Sequence, residues 1–224
     1  MGKREDNKRI KALQKEVNDV FKSAMRGTGW KTKSHTAFRC VNDNFYETAI
    51  TAGVDIIETE AHIRIYGRAY AKPMAIDPIY WDIAELPDNK KKPLSFRAWA
   101  AFKVEPAMFS ETTLIESSIK SAEQAVEIYL NWQADQFENM KEKMEAQPFS
   151  ELYASMALSR HKPSFYATGL ICSHIAEGNP EKALEIARKY APTELKNLFH
   201  AGDPNHRVNF YELTILHLTG KLPS

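Results

Sequence analysis

Near the start of the chain, Ile10, Leu13, Val17, Val20 and Ala24 recur at spacings of three and four. That rhythm predicts a helix over residues 4–26 with one apolar stripe. Gly27 and Gly29 stop it, because glycine supplies the positive φ that helix ends use. From Trp30 to about Val104 the period changes to two. "TAFRCV" and "FYETAITA" flank "NDN", residues that tolerate left-handed geometry, which predicts a hairpin. "AHIRIYGRAYA" predicts a strand with His62, Arg64, Tyr66, Arg68 and Tyr70 on one face. Ile63, Ile65, Gly67 and Ala69 take the other face. "PIYWDIA" predicts a shorter strand, and "LSFRAWAAFKV" a last one. In that last strand Phe96, Ala98, Ala100, Phe102 and Val104 alternate with Arg97, Trp99, Ala101 and Lys103. The apolar and small positions of the two strands predict a core face for the first helix to cover. The opposite face then carries Arg64, Tyr66, Arg68 and Tyr70, beside Arg97, Trp99 and Lys103 if the two strands are neighbours.

Residues 113–147 predict one long helix. Thr113 and Glu116 fit a capping box, and Ile115, Ile119, Ala122, Val126, Leu130, Phe137, Met140 and Met144 keep a helical rhythm broken near Gln133. At 1.5 Å per residue the helix is roughly 50 Å long, which suits a bridge between modules or pairing with a second copy. After Pro148, helices are expected at about 149–159, 165–177, 181–190, 194–200 and 205–219. The predicted fold class is α+β: an N-terminal helix on a mostly antiparallel sheet (1–112), a long linking helix (113–147) and a small helical-hairpin bundle (148–224).

Composition adds bounds. The 224 residues are 43% hydrophobic and 26% charged, with a formal net charge of +1. This is a globular balance without a global bias toward nucleic acid or acidic membranes. Residues 1–34 carry ten Lys or Arg against four acids, and residues 114–162 five against eight, so the two helices have opposite charge. Two cysteines, Cys40 and Cys172, with no CxxC spacing read as reduced thiols. "MGKREDNKRIK" has no apolar core, and no apolar run reaches a membrane-spanning length. A cytoplasmic protein without membrane association is therefore expected, and the compact, linker-free chain suggests a bacterial one.

"FYATGLICSHIAEGNPEKALEIARKYAP" is similar to one tetratricopeptide-type helical hairpin. Gly169 is its small crossing residue, "GNPEKA" its turn, and Ala183, Leu184 and Ala187 lie on its second helix. The resemblance spans about 28 residues, without further copies at a period of about 34. It implies protein interaction rather than chemistry.

Candidate chemistry is sparse. An alternation of cations and rings can stack bases and hold phosphates, or grip a protein; cross-strand Tyr–Arg pairs also stabilise plain sheets. His200, Asp203 and His206 form a metal-like cluster by composition, although Asp203 before Pro204 is better explained as a helix N-cap with proline at N1. Cys172 and His174, two apart on a helix, diverge and form no dyad. There is no GxSxG, Walker loop or GxGxxG, so no cofactor is expected. These features predict non-catalytic protein binding of the adaptor or toxin-neutralising kind. Nucleic-acid or nucleotide binding on the basic-aromatic face is the alternative, and an enzyme using carboxylates such as Glu47 or Asp82 comes third.

Overall fold

The computed structural model describes residues 3–57, 60–114, 119, 121–157, 164–193, 199–200 and 207–222. In chain order the first elements are α1 (Lys3–Ala24), β1 (Lys31–Lys33), β2 (Thr36–Val41), β3 (Asn44–Ile57), β4 (Glu60–Pro73), α2 (Ile76–Ile83), α3 (Ser95–Trp99) and β5 (Ala107–Leu114). There follow α4 (Ala122–Ala146), α5 (Phe149–Ala157), α6 (Ser164–Ala176), α7 (Pro180–Tyr190), β6 (Phe199–His200), β7 (Arg207–Val208) and α8 (Phe210–Thr219). The fold is α+β, as the sequence predicts. It divides into two compact units, Met1–Ala71 with Met108–Lys143, and Lys72–Ala107 with Met144–Ser224.

The first unit is a five-stranded antiparallel sheet, ordered β1-β2-β3-β4-β5, with α1 and α4 on its apolar face. The predicted hairpin joins β2 to β3. Val41 pairs with Asn44, and Asn42 and Asp43 both take positive φ (49° and 56°), the two-residue turn whose twist matches the strands. α1 covers Ile63 and Ile65 as expected: Val17 of the predicted stripe is buried and Leu13 and Val20 pack against the core, while Phe21, and Met25 just past the helix, are buried beside them and Ala24 is exposed. Phe21 meets Tyr129 of α4 edge to face at 5.6 Å. Burial of each such side chain stabilises by about 1.5–3 kcal/mol. The break in the rhythm of α4 has a cause: Gln133 is buried and donates to the Thr48 hydroxyl of β3 at 2.6 Å.

Several predicted elements need correction. Thr113 lies in β5, so it caps no helix. α4 starts at Ala122, where the Ser121 hydroxyl accepts from the Gln124 N–H at 3.2 Å. Its 25 residues span about 37 Å rather than 50 Å. "PIYWDIA" belongs to α2, not to a strand: Ile76, Tyr80 and Ile83 are buried at helical spacing, and Pro78 occupies the first turn, where its missing N–H costs little. Residues 94–104 form the one-turn helix α3 and an irregular segment, not a strand. Residues 199–200 are β6 rather than helix, and residues 194–198 lie outside the described residues. The last helix begins at Phe210, not at 205, behind a complete capping box in which Asn209 and Glu212 each accept the other's N–H.

Within the second unit, α5, α6, α7 and α8 pack in succession. Gly169 of α6 touches the Tyr153 ring of α5. α6 ends in a Schellman turn: Gly178 takes φ +78°, and the N–H groups of Gly178 and Asn179 bond the carbonyls of Ile175 and His174.

Candidate functional site

The seven residues predicted to share one sheet face are divided between the two units. Arg64, Tyr66, Arg68 and Tyr70 do form an outward row on β4, with Ile63, Ile65, Gly67 and Ala69 buried behind them. The side chain of His62 lies outside the described residues. Within the row, Arg64 donates to the Tyr66 hydroxyl at 2.8 Å, and Arg68 bridges Glu111 of β5 at 2.7 Å. The Glu111 contact holds the Arg68 guanidinium above its ordinary value. That pair is about half exposed, so it adds at most about 1 kcal/mol.

Arg97, Trp99 and Lys103 sit instead on α3 and the segment after it, in the second unit. Ala-rich "FRAWAA" favours a helical turn, and the end of that turn is fixed from below by a buried ion cluster. Lys72 and Asp77 are both fully buried and paired at 2.9 Å. The Lys72 ammonium also donates to the carbonyls of Arg97 at 3.2 Å and Val104 at 2.8 Å. Asp77 accepts from the Arg97 guanidinium at 2.7 Å and from the Val104 N–H at 3.0 Å. Arg97 also donates to the Met74 carbonyl at 3.0 Å and packs 5.1 Å from the Trp81 ring centroid. The Trp81 indole N–H donates to the Phe102 carbonyl at 2.8 Å. Both ends of the stretch 97–104, and a point near its middle, are therefore tied to buried groups.

What this stretch displays is apolar. Trp99 and Phe102 are 41% and 38% exposed, the large hydrophobic side chains most open to solvent among the described residues. Ala101 between them is exposed too. Lys103 is mostly buried and bridges Glu105 at 2.8 Å. From Asn89 to Val104 the chain carries Lys90, Lys91, Lys92, Arg97 and Lys103 and no acid, and the three consecutive lysines are exposed.

Burial brings the Lys72 ammonium down to about 8, against the opposing pull of Asp77. A lowered lysine can serve as a nucleophile, but the three hydrogen-bond acceptors around this one fit an anchored cation. Burial likewise raises the Cys172 thiol, whereas Cys40 is exposed. Asp82 bridges Lys90, and both are exposed. Of the metal-like trio, His200 lies on β6, and Asp203 and His206 fall outside the described residues. Among the described residues no three His, Cys, Asp or Glu side chains are grouped to hold a metal ion, and no helix is long and apolar enough to cross a membrane.

Lys72, Asp77, Trp81 and Phe102 were not legible as site residues. Lys72 has the same strand parity as Arg64, Arg68 and Tyr70, so period two places it on the solvated row; the folded chain buries it completely. Set against family models, curated proteins and solved structures, the chain matches none.

Proposed function

We propose that this chain acts by non-catalytic binding of another protein, as an adaptor or a toxin-neutralising protein, with the Trp99–Phe102 loop as its anchor. The observation that carries this reading is two large exposed aromatic side chains on a segment held at both ends by buried ionic and hydrogen bonds. Tryptophan is enriched among the residues that dominate binding energies. A loop already fixed loses little further freedom on binding, which saves about 0.5–1.5 kcal/mol for each side chain it need not order. The lysines at 90–92 select the partner's chemistry: an apolar pocket rimmed by acidic side chains.

A second reading rests on β4. The Arg64, Tyr66, Arg68 and Tyr70 row alternates cations and rings on one partly exposed face, a pattern suited to stacked bases and phosphates.

The test is native mass spectrometry of the tagged chain from its host's lysate, beside Trp99→Ala/Phe102→Ala and Arg64→Ala/Arg68→Ala variants. A stoichiometric acidic protein released by the first pair alone supports the anchor. Partner retention by that pair refutes it. An oligonucleotide lost only with the arginine pair, with steep salt dependence, moves the function to β4.

A further inference from the structure

The first unit holds a cavity of about 390 Å³ beside Trp30, Arg39 and Phe137. Its size falls in the range of small-molecule sites, about 300–1,000 Å³. Met25, Leu130 and the rings of Trp30 and Phe137 make its walls mostly apolar. Those rings meet edge to face at 5.5 Å. The Arg39 guanidinium carbon lies 3.8 Å from the Phe137 centroid and 5.1 Å from that of Trp30.

Arg39 is the uncommitted polar group here. Its Nε–H is buried and has no acceptor. Stacking accounts for the position of the cation but not for that donor, because guanidinium N–H groups point outward in their own plane. The other polar side chains at the cavity have partners. Gln133 donates to Thr48, the Thr28 hydroxyl donates to the Met25 carbonyl at 2.7 Å, and Glu138 bridges Lys141 at 2.7 Å. Burial lowers Arg39 below its ordinary value, and the Glu138 charge only partly opposes this. A partly buried cation beside two aromatic rings suits an anion with an apolar body.

We propose that this cavity binds a small organic monocarboxylate, its apolar body against Trp30 and Leu130 and its carboxylate accepting from Arg39. A single cation, already partly offset by Glu138, suits one negative charge better than the two of a phosphate ester. The site belongs to the first unit and the Trp99–Phe102 loop to the second, so it stands independently of the protein-binding reading.

The experiment is calorimetric titration and ligand-observed NMR on the full chain with benzoate, hexanoate and indoleacetate, using benzyl alcohol and hexanol as uncharged counterparts. At least one carboxylate binds at millimolar concentration or below, and its alcohol binds more weakly. Arg39→Met weakens that carboxylate about tenfold or more, the worth of one charge-assisted hydrogen bond. Ala134→Phe, which fills the cavity from α4 without altering a charge, abolishes binding. If circular dichroism shows that Arg39→Met has not folded, Ala134→Phe and the alcohol comparison decide. No binding by any of the three acids, equal affinity for acid and alcohol, or affinity unchanged in Ala134→Phe overturns the assignment.

Discussion

Replacing Lys72 by Met tests whether the buried ion cluster holds the aromatic loop. Met preserves most of the apolar stem and removes three donated hydrogen bonds, to Asp77, Arg97 and Val104. Leaving a buried acceptor unpaired costs about 1–3 kcal/mol, so the two stranded carbonyls alone account for at least roughly 2 kcal/mol. Removing one partner of a buried ion pair costs about 3–5 kcal/mol. Here Asp77 keeps Arg97 at 2.7 Å and the Val104 N–H at 3.0 Å, which moderates that penalty. The expected loss is about 3 kcal/mol, a large share of the roughly 5–15 kcal/mol of a folded domain. Asp77→Asn strands two cations and costs at least as much. The double variant costs less than the sum, with a coupling of about 1–3 kcal/mol. Urea unfolding followed by tryptophan fluorescence and far-UV circular dichroism measures all three. A Lys72→Met loss below about 1 kcal/mol, within the range of a surface change, or strict additivity in the cycle, refutes the clamp. Partner binding supplies a second readout: Lys72→Met weakens it although Lys72 itself is fully buried.

Two glycines and the buried tyrosines give further expectations. A Cβ at Gly67 lies 2.7–2.9 Å from three Trp132 ring carbons, and one at Gly169 lies within 2.8 Å of three Tyr153 ring carbons. Overpacking costs about 1–3 kcal/mol and the intrinsic gain of Ala over Gly recovers up to about 1. Gly169→Ala should destabilise more than Gly67→Ala in chemical denaturation, because Tyr153 is wholly buried and anchored through its hydroxyl to the Glu105 carbonyl while Trp132 is half-buried. Burial raises Tyr153 and Tyr129 above the ordinary tyrosine value. The unfolded chain therefore releases those protons first, and stability is full below about pH 10 and lost above it. Lys72 acts in the opposite sense: lowered from 10.5 to about 8, it releases its proton first in the folded state, so stability rises between those values. Urea unfolding across this range should show a rise and then a fall, with the rise absent in Lys72→Met.

The sequence was readable where one face of an element is dry and the other wet. β4 alternates cleanly because Ile63 and Ile65 are buried while Arg68 is exposed, and α1 shows its helical stripe for the same reason. Where both sides are covered, the period disappears. Ile76, Tyr80, Trp81 and Ile83 are all buried, so a helix of eight residues looks like a short apolar strand. The Phe-Ala alternation at 96–102 misleads differently. Alanine suits either face, so the apparent period was carried by two phenylalanines, of which Phe96 packs on Trp81 and Phe102 is exposed.

The aromatic loop shows how a site can be half legible. Trp99, Arg97 and Lys103 attract attention by residue type, and that survives the loss of the strand that was meant to hold them. Their support does not show in any local pattern. Lys72 reaches carbonyls 25 and 32 residues further along the chain, and Trp81 reaches one 21 residues on. A lysine that ends a row of solvated arginines gives no hint that it will be the fully buried member. Because burying its charge is costly unless every donor is matched, the presence of three acceptors is itself a constraint: residues 97–104 must return to this one point for Lys72 to stay charged. A loop under that constraint has little freedom to fold Trp99 and Phe102 further inward, so the same bonds that make the ion cluster tolerable keep two aromatic side chains partly exposed.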